Sequence, residues 1–450
     1  MSTALVILAA GKGTRMNSDI PKVLHPIAQA PMLVHAMRAG AVLCPERTVV
    51  VTGHGAEAVA SVAEAEDDNA RIAIQEEQLG TAHAVAQARS ALDGFQGDVV
   101  VLYGDTPFLQ SDTLERMIEA RAKSDLVILG FEAADPARYG RLVMDGDTLE
   151  RIVEFKDATA EQRAITFCNS GLLACDAETL FSLIDAVGNE NASGEYYLTD
   201  VVEIARNRGL NVTAVACDEA QTLGINSRAD LAAADAVFQA QARSELLELG
   251  VTLMAPETVY LAADTVIGRD TVIEPNVVFG PGVTVESGAT IRAFSHLEGC
   301  HVSRGAVVGP YARLRPGAEL AENAKIGNFV EIKNAEIEEG AKVNHLSYIG
   351  DASIGAASNI GAGTITCNYD GVMKHKTTIG ENVFIGSNTM LVAPVTVGDN
   401  AMTATGTVVT KDVEPEALAV ARAKQENKPG YARKLFDMLK AKKARRDKGA

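Results

Sequence analysis

The chain has 450 residues, of which 47% are hydrophobic and 22% are charged, a composition that suits two or three globular domains. The formal net charge is −18. Because the last twenty residues contribute +6, the rest of the chain carries −24. Such an acidic body excludes nucleic acid as the main partner.

The N-terminus and the cysteines bear on the compartment. The first apolar run ends at Gly11 and no charged segment precedes it, while no stretch reaches eighteen apolar residues. We therefore expect neither a signal peptide nor membrane insertion. The six cysteines form no CxxC pair and have no ligand-like spacing with histidine, which predicts free thiols in a reducing cytoplasm.

Apolar runs alternate with helical patterns in the first half of the chain. The residues 4–10, 48–51, 98–102 and 126–129 read as strands. Helical stretches lie between them at 31–42, 56–65 and 81–92. This alternation predicts a mostly parallel, doubly wound α/β sheet. Ligands of such sheets bind at the carboxyl ends of the strands.

The turn after the first strand, Gly11 to Met16, is the first candidate site. Its glycines expose backbone N–H groups, and Arg15 and Lys22 add positive charge nearby. Met16 stands where a dinucleotide fingerprint needs its third glycine, and no GxxxxGK[ST] loop is present. On the turn alone, a phosphate-binding loop and a tight turn without a ligand both stay open.

A second candidate is Tyr103-Gly104-Asp105, which ends the apolar run 99–102. Asp105 should lie at the carboxyl end of a strand, on the same edge as the glycine turn. A carboxylate there can hold Mg²⁺ together with water and phosphate oxygens. The alternative is a helix-capping or turn aspartate.

The residues Ser227 to Leu249 predict one long helix. Ser227 can cap its beginning and Gly250 can end it. We interpret the apolar stripe of this helix as a packing surface rather than a groove for a partner. The stripe consists of Leu231, Ala234, Phe238, Ala242 and Leu246.

A six-residue repeat runs from about Ile267 to Val408, with an apolar anchor at every sixth position and a small residue four positions later. This short period is typical of a parallel β-helix, in which three hexads make one triangular coil. Any catalytic site must then lie where the repeat is interrupted. The interruptions are a slip at 345–354 and a long loop at 361–378.

His345 lies at the slip, close in sequence to Tyr348, Asn359 and the long loop. A single histidine is more often a packed or surface residue than a catalyst. Its position at an interruption favours the general-base interpretation. The basic tail, Lys434 to Lys448, also has two interpretations: a solvated, disordered end, or a cover for the phosphates of a cofactor.

Three motifs carry a resemblance to known enzymes. LAAGKGTRM followed by Pro21-Lys22-Val23-Leu24, Gln75 with Gln78-Leu79-Gly80-Thr81, and Tyr103-Gly104-Asp105 resemble the signature of sugar-1-phosphate nucleotidyltransferases. Together with the hexad repeat, they make the chain similar to the family of bacterial bifunctional N-acetylglucosamine-1-phosphate uridyltransferase/glucosamine-1-phosphate acetyltransferases. The resemblance runs from about Leu5 to Arg422.

The resemblance implies an α/β doubly wound nucleotidyltransferase domain, a long linker helix, and a left-handed parallel β-helix (hexapeptide repeat) domain. The corresponding boundaries are 1–226 for the uridyltransferase domain, 227–250 for the linker helix, 251–427 for the acetyltransferase domain and 428–450 for the basic tail.

For the first half, the resemblance implies a nucleotide-sugar site with Mg²⁺ held by Asp105 and Asn226, and with Arg15 and Lys22 beside the phosphates. The full set of matching positions is Leu8, Ala9, Ala10, Gly11, Arg15, Lys22, Gln75, Gly80, Thr81, Tyr103, Gly104, Asp105, Gly140, Glu154, Asn169 and Asn226.

For the second half, the resemblance implies His345 as the general base. The acetyl acceptor is then held by Arg315, Lys333, Tyr348 and Asn359. Thr405 departs from the family, where a smaller residue such as Ala is more usual. Acetyl-CoA contacts map to Ala362, Asn368, Tyr369, Ser387, Thr405 and Arg422.

The implied enzyme is a cytoplasmic homotrimer with two separate active sites. It acetylates glucosamine-1-phosphate with acetyl-CoA and then couples N-acetylglucosamine-1-phosphate to UTP, giving UDP-N-acetylglucosamine and pyrophosphate. One alternative is a monofunctional nucleotidyltransferase with a regulatory or oligomerising β-helix. A second alternative treats the β-helix as an assembly scaffold only.

Overall fold

The computed structural model describes residues 2–137, 139–191 and 193–448. The first residue of the predicted uridyltransferase domain and the last two residues of the predicted tail lie outside the described residues. Contacts divide the chain into two compact units, Met1–Ala242 and Arg243–Ala450. This division falls inside the predicted linker helix, whereas the boundaries predicted at 226 and 250 flank that helix.

The first unit is built on one twisted sheet in the order β11-β7-β10-β6-β1-β4-β5, with β8 and β9 as a hairpin beside β10. All pairs along this order are parallel except those of β10 with β6 and β7, so the predicted mostly parallel sheet is confirmed. The strands of this unit are β1 Thr3–Ala9, β2 Pro26–Ile27, β3 Ala30–Pro31, β4 Arg47–Thr52, β5 Arg71–Ile74, β6 Asp98–Tyr103, β7 Leu126–Glu132, β8 Arg141–Asp145, β9 Thr148–Val153, β10 Phe167–Asp176 and β11 Val212–Cys217.

The first strand is apolar from Ala4 to its end at Ala9 because both faces of the sheet are covered. Ala4, Val6 and Leu8 belong to one hydrophobic cluster, whereas Leu5 and Ile7 belong to another. Side chains alternate between the faces of a strand, so a strand buried on both sides needs a continuous apolar run.

The predicted helices are confirmed with one difference. The stretch 81–92 is not one helix: α3 ends at Gln87 and a 3₁₀ turn follows at Ser90–Leu92, where the amide of Leu92 donates to the carbonyl oxygens of both Ala88 and Arg89. The helices are α1 Met32–Ala41, α2 Ala56–Glu66, α3 Thr81–Gln87, α4 Ser111–Arg121, α5 Ala160–Arg163, α6 Ala177–Ile184, α7 Asp200–Asn207 and α8 Arg228–Glu248.

The long helix α8 has the predicted ends. The Ser227 hydroxyl accepts a bond from the Asp230 amide at 3.2 Å, and Gly250 ends the helix with a φ of 87°. The stripe residues of α8 are buried or half-buried. Phe238 packs edge-on against the ring of His35, with centroids 5.8 Å apart, which supports the packing interpretation.

The second unit is a parallel β-helix with three columns of strands, in which every strand pair is parallel. Its strands are β12 Thr252–Leu253, β13 Val266–Ile267, β14 Val272–Ile273, β15 Val278–Phe279, β16 Thr284–Val285, β17 Thr290–Ile291, β18 His296–Leu297, β19 Cys300–Val302, β20 Val307–Val308, β21 Arg313–Leu314, β22 Ala318–Leu320, β23 Lys325–Asn328, β24 Glu331–Ile337, β25 Lys342–His345, β26 Tyr348–Ile354, β27 Asn359–Ile360, β28 Ile365–Cys367, β29 Thr377–Ile379, β30 Phe384–Ile385, β31 Met390–Val392, β32 Val395–Val397, β33 Met402–Thr403, β34 Val408–Val409 and β35 Leu418–Ala419.

The interruption predicted at 361–378 is shorter than expected. Its residues Ile365–Cys367 form β28 and pair in register with Tyr348 on one side and with Met390 on the other, so they continue the coil. The true insertion is the hairpin 368–376, which the sequence alone could not delimit because the strand before it lacks the apolar anchor: Thr366 takes that position, whereas Ile379 keeps it in the strand that follows.

Several further features follow from the described residues. All six cysteines are free thiols, as predicted. No helix in the described ranges is long and apolar enough to cross a membrane. The tail forms the exposed helix α9, Tyr431–Lys448, rather than the unstructured end that was one of its two interpretations.

Candidate active sites

A cavity of about 300 Å³ opens at the carboxyl ends of β1 and β6, where the doubly wound sheet predicts a ligand. It brings together ten of the predicted nucleotide-sugar residues: Leu8, Ala9, Ala10, Gly11, Lys22, Gln75, Gly80, Thr81, Tyr103 and Asp105. Gln78, which belongs to the signature motif quoted above but not to the set of matching positions, lines it as well, and so does Glu195, which sequence reasoning missed.

Lys22 joins the two predicted metal ligands. Its Nζ donates to Asn226 Oδ1 at 2.7 Å and forms an ion pair with the carboxylate of Asp105. Asn226 Nδ2 donates to the carbonyl oxygen of Gly224 at 3.1 Å, which turns Oδ1 toward Lys22. One carboxylate oxygen and one amide oxygen therefore converge on a single cation, and this donor set fits Mg²⁺.

The glycine turn also leaves the space that the Lys22 side chain occupies, besides any contact with phosphate. Gly13 has a φ of 59°, and a Cβ there would lie 2.5 Å from the Cβ of Lys22. A side chain at this position would push Lys22 away from Asp105. Arg15 follows in an exposed 3₁₀ turn and does not line the cavity.

Two glutamines hold the far side of this cavity. Gln75 is 3% exposed, and its Nε2 donates to the carbonyl oxygen of Gly80 at 3.1 Å. Gln78 Nε2 donates to the carbonyl oxygen of Ala10 at 2.9 Å, which ties the loop after β5 to the end of β1. A planar base can lie between these fixed amides, which offer both donors and acceptors.

A second cavity of about 330 Å³ shares Thr81, Tyr103 and Glu195 with the first. It contains the predicted residues Glu154 and Asn169. The backbone N–H of Asn169 donates to the carbonyl oxygen of Gly140, another predicted position, at 2.8 Å. Sequence reasoning missed several other lining residues because no motif marks the loops that supply them. These are Phe155, Lys156, Glu195, Tyr197 and Thr199.

The carboxylate of Glu154 in the second cavity is largely shielded from water. Burial raises the pKa of Glu154; the hydroxyl of Thr199 opposes this rise, and Asp200 adds to it. Burial, followed by the charges of Asp105 and Glu154, also raises the pKa of Tyr103, so this phenol remains a neutral hydrogen-bond donor. Both groups can bind sugar hydroxyls.

In the β-helix, Arg315, Lys333 and Tyr348 lie on one face. Lys333 pairs with Gly350 and Glu331 pairs with Tyr348 in the register of β24 and β26. Arg315 follows β21 at the same level, and its amide donates to the carbonyl oxygen of Ile332. Three residues predicted to hold the acetyl acceptor thus lie on consecutive coils of one face.

Glu331 is a charged residue of this face that sequence reasoning missed. Its carboxylate accepts a bond from Arg315 Nη1 at 2.9 Å and lies 3.9 Å from Arg313 Nη1. This anion keeps the Arg315 guanidinium in place before a phosphate arrives.

Tyr348 lies flat across Gly350. A Cβ at Gly350 would come within 2.3 Å of the Tyr348 hydroxyl oxygen. The glycine thus allows the phenol to reach toward Lys333.

His345 lies at the end of β25, where the chain turns toward Tyr348. Its Nδ1 is 2.9 Å from Asn328 Oδ1, and an amide oxygen can only accept. In the neutral imidazole, this contact places the proton on Nδ1 and leaves the Nε2 lone pair available to a substrate amine. Asn328, which sequence reasoning missed, therefore selects the tautomer that a general base needs.

Four of the functional positions form a column along the β-helix. Val343, Ile360, Ile385 and Thr403 pair in register, so the residues two positions after each of them also stack. These are His345, Ala362, Ser387 and Thr405. Asn359 pairs with Lys342 one coil after the strand of His345.

The departure at Thr405 does not disturb the fold. Thr405 is exposed, and its carbonyl oxygen accepts a bond from Arg422 Nη1 at 2.6 Å. The extra hydroxyl and methyl groups therefore point into solvent-accessible space, and the backbone contact links two predicted acetyl-CoA residues.

The remaining predicted acetyl-CoA residues lie on the hairpin 368–376. Tyr369 is 59% exposed and its hydroxyl donates to the carbonyl oxygen of Gly371 at 2.6 Å. Asn368 is 7% exposed, and its Nδ2 donates to the carboxylate of Asp351. His375 Nε2 lies 2.7 Å from Asp370 Oδ2 and closes the hairpin.

Comparisons with known proteins cover both halves. Residues 5–169 match the model of the MobA-like NTP transferase domain, and residues 264–299 and 376–411 match the bacterial transferase hexapeptide (six repeats). The chain is 85% identical over 448 residues to the "Bifunctional protein GlmU" of Ruegeria pomeroyi, covering 100% of both chains. It is 77% identical to the same-named protein of another Ruegeria strain and 67% identical to that of Roseobacter denitrificans, again with 100% coverage of both chains. Among solved structures, UDP-glucose pyrophosphorylase complexed with UDP-glucose is similar at 16% identity and a TM-score of 0.43, over 54% of this chain and 100% of that one.

Proposed function

The chain belongs to the family of bifunctional GlmU proteins, and we propose that its two active sites are the two sites described above. The enzyme makes UDP-N-acetylglucosamine by two transfers. It first acetylates glucosamine-1-phosphate with acetyl-CoA, and it then transfers uridylyl from UTP to N-acetylglucosamine-1-phosphate, releasing pyrophosphate.

For uridylyl transfer, the observation that carries the assignment is the convergence of Lys22, Asp105 and Asn226 at the cavity after β1. Asp105 and Asn226 would hold Mg²⁺, which when bound neutralises charge on the triphosphate. A sugar-phosphate oxygen attacks the α-phosphorus of UTP and pyrophosphate leaves. Little covalent work falls to the protein, so positioning and charge neutralisation dominate.

Different residues of the chain bind the phosphates, the uracil and the sugar. Lys22 neutralises phosphate charge from inside the cavity, while Arg15 approaches from its exposed turn. Gln75 and Gln78 bind the uracil edge. Glu154 and Asn169 bind the N-acetylglucosamine hydroxyls in the second cavity.

For acetyl transfer, the tautomer of His345 carries the assignment. An amine attacks a thioester only as the free base. His345 Nε2 accepts the proton as the N–C bond forms, and the C–S bond breaks to release CoA, whose sulfur takes up a proton. Arg315, Lys333 and Tyr348 hold the acceptor's phosphate, with Arg able to bind it bidentately.

The column His345, Ala362, Ser387 and Thr405 supports the path assigned to acetyl-CoA. Residues of neighbouring coils lie about 4.8 Å apart, so an extended cofactor can follow the column with its thioester at His345. Arg422, bonded to Thr405, would meet the cofactor at the other end.

Assembly, compartment and domain boundaries complete the proposal. The exposed position of His345 suits a site closed by a neighbouring copy, which supports a homotrimer. Six free thiols suit the cytoplasm. The boundaries 1–226, 227–250, 251–427 and 428–450 stand as proposed above.

An omission assay tests both activities together. Acetyl-CoA, glucosamine-1-phosphate and UTP are supplied, and each is omitted in turn. UDP-N-acetylglucosamine should require all three, whereas N-acetylglucosamine-1-phosphate should replace the first two. Formation of the nucleotide sugar without acetyl-CoA would contradict the assigned reactions, and a stable monomer in analytical ultracentrifugation would contradict the shared acetyl-transfer site.

A further inference from the structure

Asp351 is a buried acid that neither reaction has used so far. It lies within β26 at a corner of the β-helix and is 9% exposed, with a φ of 48°. In the preceding coils, the same corner is formed by Gly317 and Asn334, which also have positive φ. In the following coil, the corner is replaced by the hairpin 368–376.

Three side chains donate to the Asp351 carboxylate. Asn334 Nδ2 donates to Oδ1 at 2.7 Å, and Lys333 Nζ donates to the same oxygen at 3.2 Å. Asn368 Nδ2 donates to Oδ2. Lys333 belongs to the phosphate-binding face, whereas Asn368 begins the hairpin that carries Tyr369.

The carboxylate is charged at neutral pH. Burial alone would raise the pKa of Asp351, but the bonds from Asn334, Asn368 and Lys333 together lower it. Hydrogen bonding with Lys374 raises the pKa of Lys333, and Asp351 adds to this rise against burial. Lys374 is the acceptor of this bond, and Lys333 lowers its pKa, so the anion at this corner stabilises the charge of Lys333.

We propose that Asp351 is a positioning residue that couples the acceptor and acetyl-CoA subsites, by fixing Lys333 on one side and the base of the hairpin on the other. The proposal rests on the proposed function, which assigns Lys333 to the acceptor phosphate and Asn368 and Tyr369 to acetyl-CoA. Asp351 itself touches neither substrate.

The geometry accounts for the requirement for a carboxylate. Asn334 donates to Oδ1 and Asn368 to Oδ2, while Lys333 Nζ lies 3.2 Å from Oδ1 and 3.5 Å from Oδ2, so both oxygens must accept. An asparagine at this position has only one acceptor atom, and its NH₂ group would face another donor. One of the two subsites must then lose its support.

The primary test is Asp351→Asn in the full-length protein, with Asp264→Asn as the matched control. Asp264 is also a β-helix aspartate, and it accepts the Gly282 amide at 2.8 Å. Asp351→Asn should raise the KM for glucosamine-1-phosphate and the KM for acetyl-CoA, each by about tenfold, since each loses a bond to a charged group. Asp264→Asn should change neither.

Two double variants separate positioning from general damage. With Lys333→Met present, Asp351→Asn should no longer raise the acceptor KM but should still raise the acetyl-CoA KM. With Asn368→Ala present, the converse should hold. Full additivity of both effects in both backgrounds would overturn the proposal, as would unchanged KM values in a folded Asp351→Asn protein.

A milder variant covers the case in which Asp351→Asn does not fold. Asn334→Gly suits the positive φ and removes one donor to the same carboxylate. It should raise both KM values a few-fold, and no change in either would overturn the proposal. Failure of the proposed function looks different: the wild-type protein itself would then not acetylate glucosamine-1-phosphate.

Discussion

Replacing Asp105 by Asn should remove uridylyl transfer and also leave a buried cation without its partner. The side chains of Lys22 and Asp105 are 11% and 21% exposed, so solvent screens their ion pair only in part. After the substitution, the Lys22 ammonium keeps its 2.7 Å bond to Asn226 but has lost its counter-charge. A bond between charged groups contributes about 2 kcal/mol, which is our expected loss of stability for this half of the protein.

A second substitution separates metal binding from stability. In Asp105→Asn/Lys22→Met, no unpaired ammonium is buried, so most of the lost stability should return. Activity should not return, because the carboxylate that would hold Mg²⁺ and the Lys22 ammonium that would neutralise phosphate charge are both absent. We expect a loss of at least about a hundredfold in kcat/KM for uridylyl transfer in both variants.

The assay measures pyrophosphate release and CoA thiol release on the same preparation, so acetyl transfer serves as the internal control. The melting transition of the first half is identified by its shift with UTP. Near-wild-type Mg²⁺-dependent uridylyl transfer in Asp105→Asn would refute the metal assignment. Loss of both activities in a folded variant would refute the independence of the two sites.

Three further predictions concern single side chains. His345→Ala should lower the kcat of acetyl transfer by about 10² to 10⁴. Asn328→Ala should lower it less, because His345 remains and only loses the bond that keeps its proton on Nδ1. The release of CoA measures both effects, and a wild-type rate for His345→Ala would contradict its assignment as general base. Gly350→Ala should displace both the Tyr348 ring and the side-chain amide of Asn368, which would lie 2.9 Å from the new Cβ. It should therefore raise the KM for glucosamine-1-phosphate and the KM for acetyl-CoA, and an unchanged KM for glucosamine-1-phosphate would contradict the placement of Tyr348. Glu154→Gln should raise the KM for N-acetylglucosamine-1-phosphate about tenfold. Burial raises the pKa of Glu154 in the folded protein above its value in the unfolded chain, so the charged carboxylate lowers the stability of the fold at neutral pH. The Glu154→Gln variant should therefore have a higher melting temperature than wild type at pH 7. This difference should disappear as the pH falls and Glu154 becomes protonated.

The first half was largely predictable because its site residues follow strands directly. Gly11 and Asp105 stand at the carboxyl ends of β1 and β6, and the alternation of apolar runs and helices places both ends on one edge. The ion pair of Lys22 with Asp105 was not predictable, since the sequence placed Lys22 only beside the phosphates. Glu195 and Thr199 could not be found either, because their loop has no periodic pattern.

In the second half, the repeat predicted the scaffold but not the groups that orient its catalytic residues. Asn328, Glu331 and Asp351 each support a predicted residue from a neighbouring coil. Asp351 has a positive φ, and Asp is common at positive φ in turns, so its occurrence at a coil corner carried no functional signal. Asn328 and Glu331 lie in strands β23 and β24, where no motif distinguishes them. Only the register shows which of them face a catalytic side chain.

The hairpin 368–376 adds an element without breaking the column that contains His345. Ile360 still pairs with Ile385 across the insertion, so Ala362 and Ser387 remain one coil apart. The hairpin leaves the coil at the corner next to Asp351, and the chain returns to the coil at β29. There β29 pairs with β26 in parallel and in continuous register. A β-helix can therefore acquire a loop beside the proposed general base, His345, while His345, its partner Asn328 and the column proposed for acetyl-CoA keep their spacing. This requires one side chain that ties the loop to the coil below. Asp351 occupies that place.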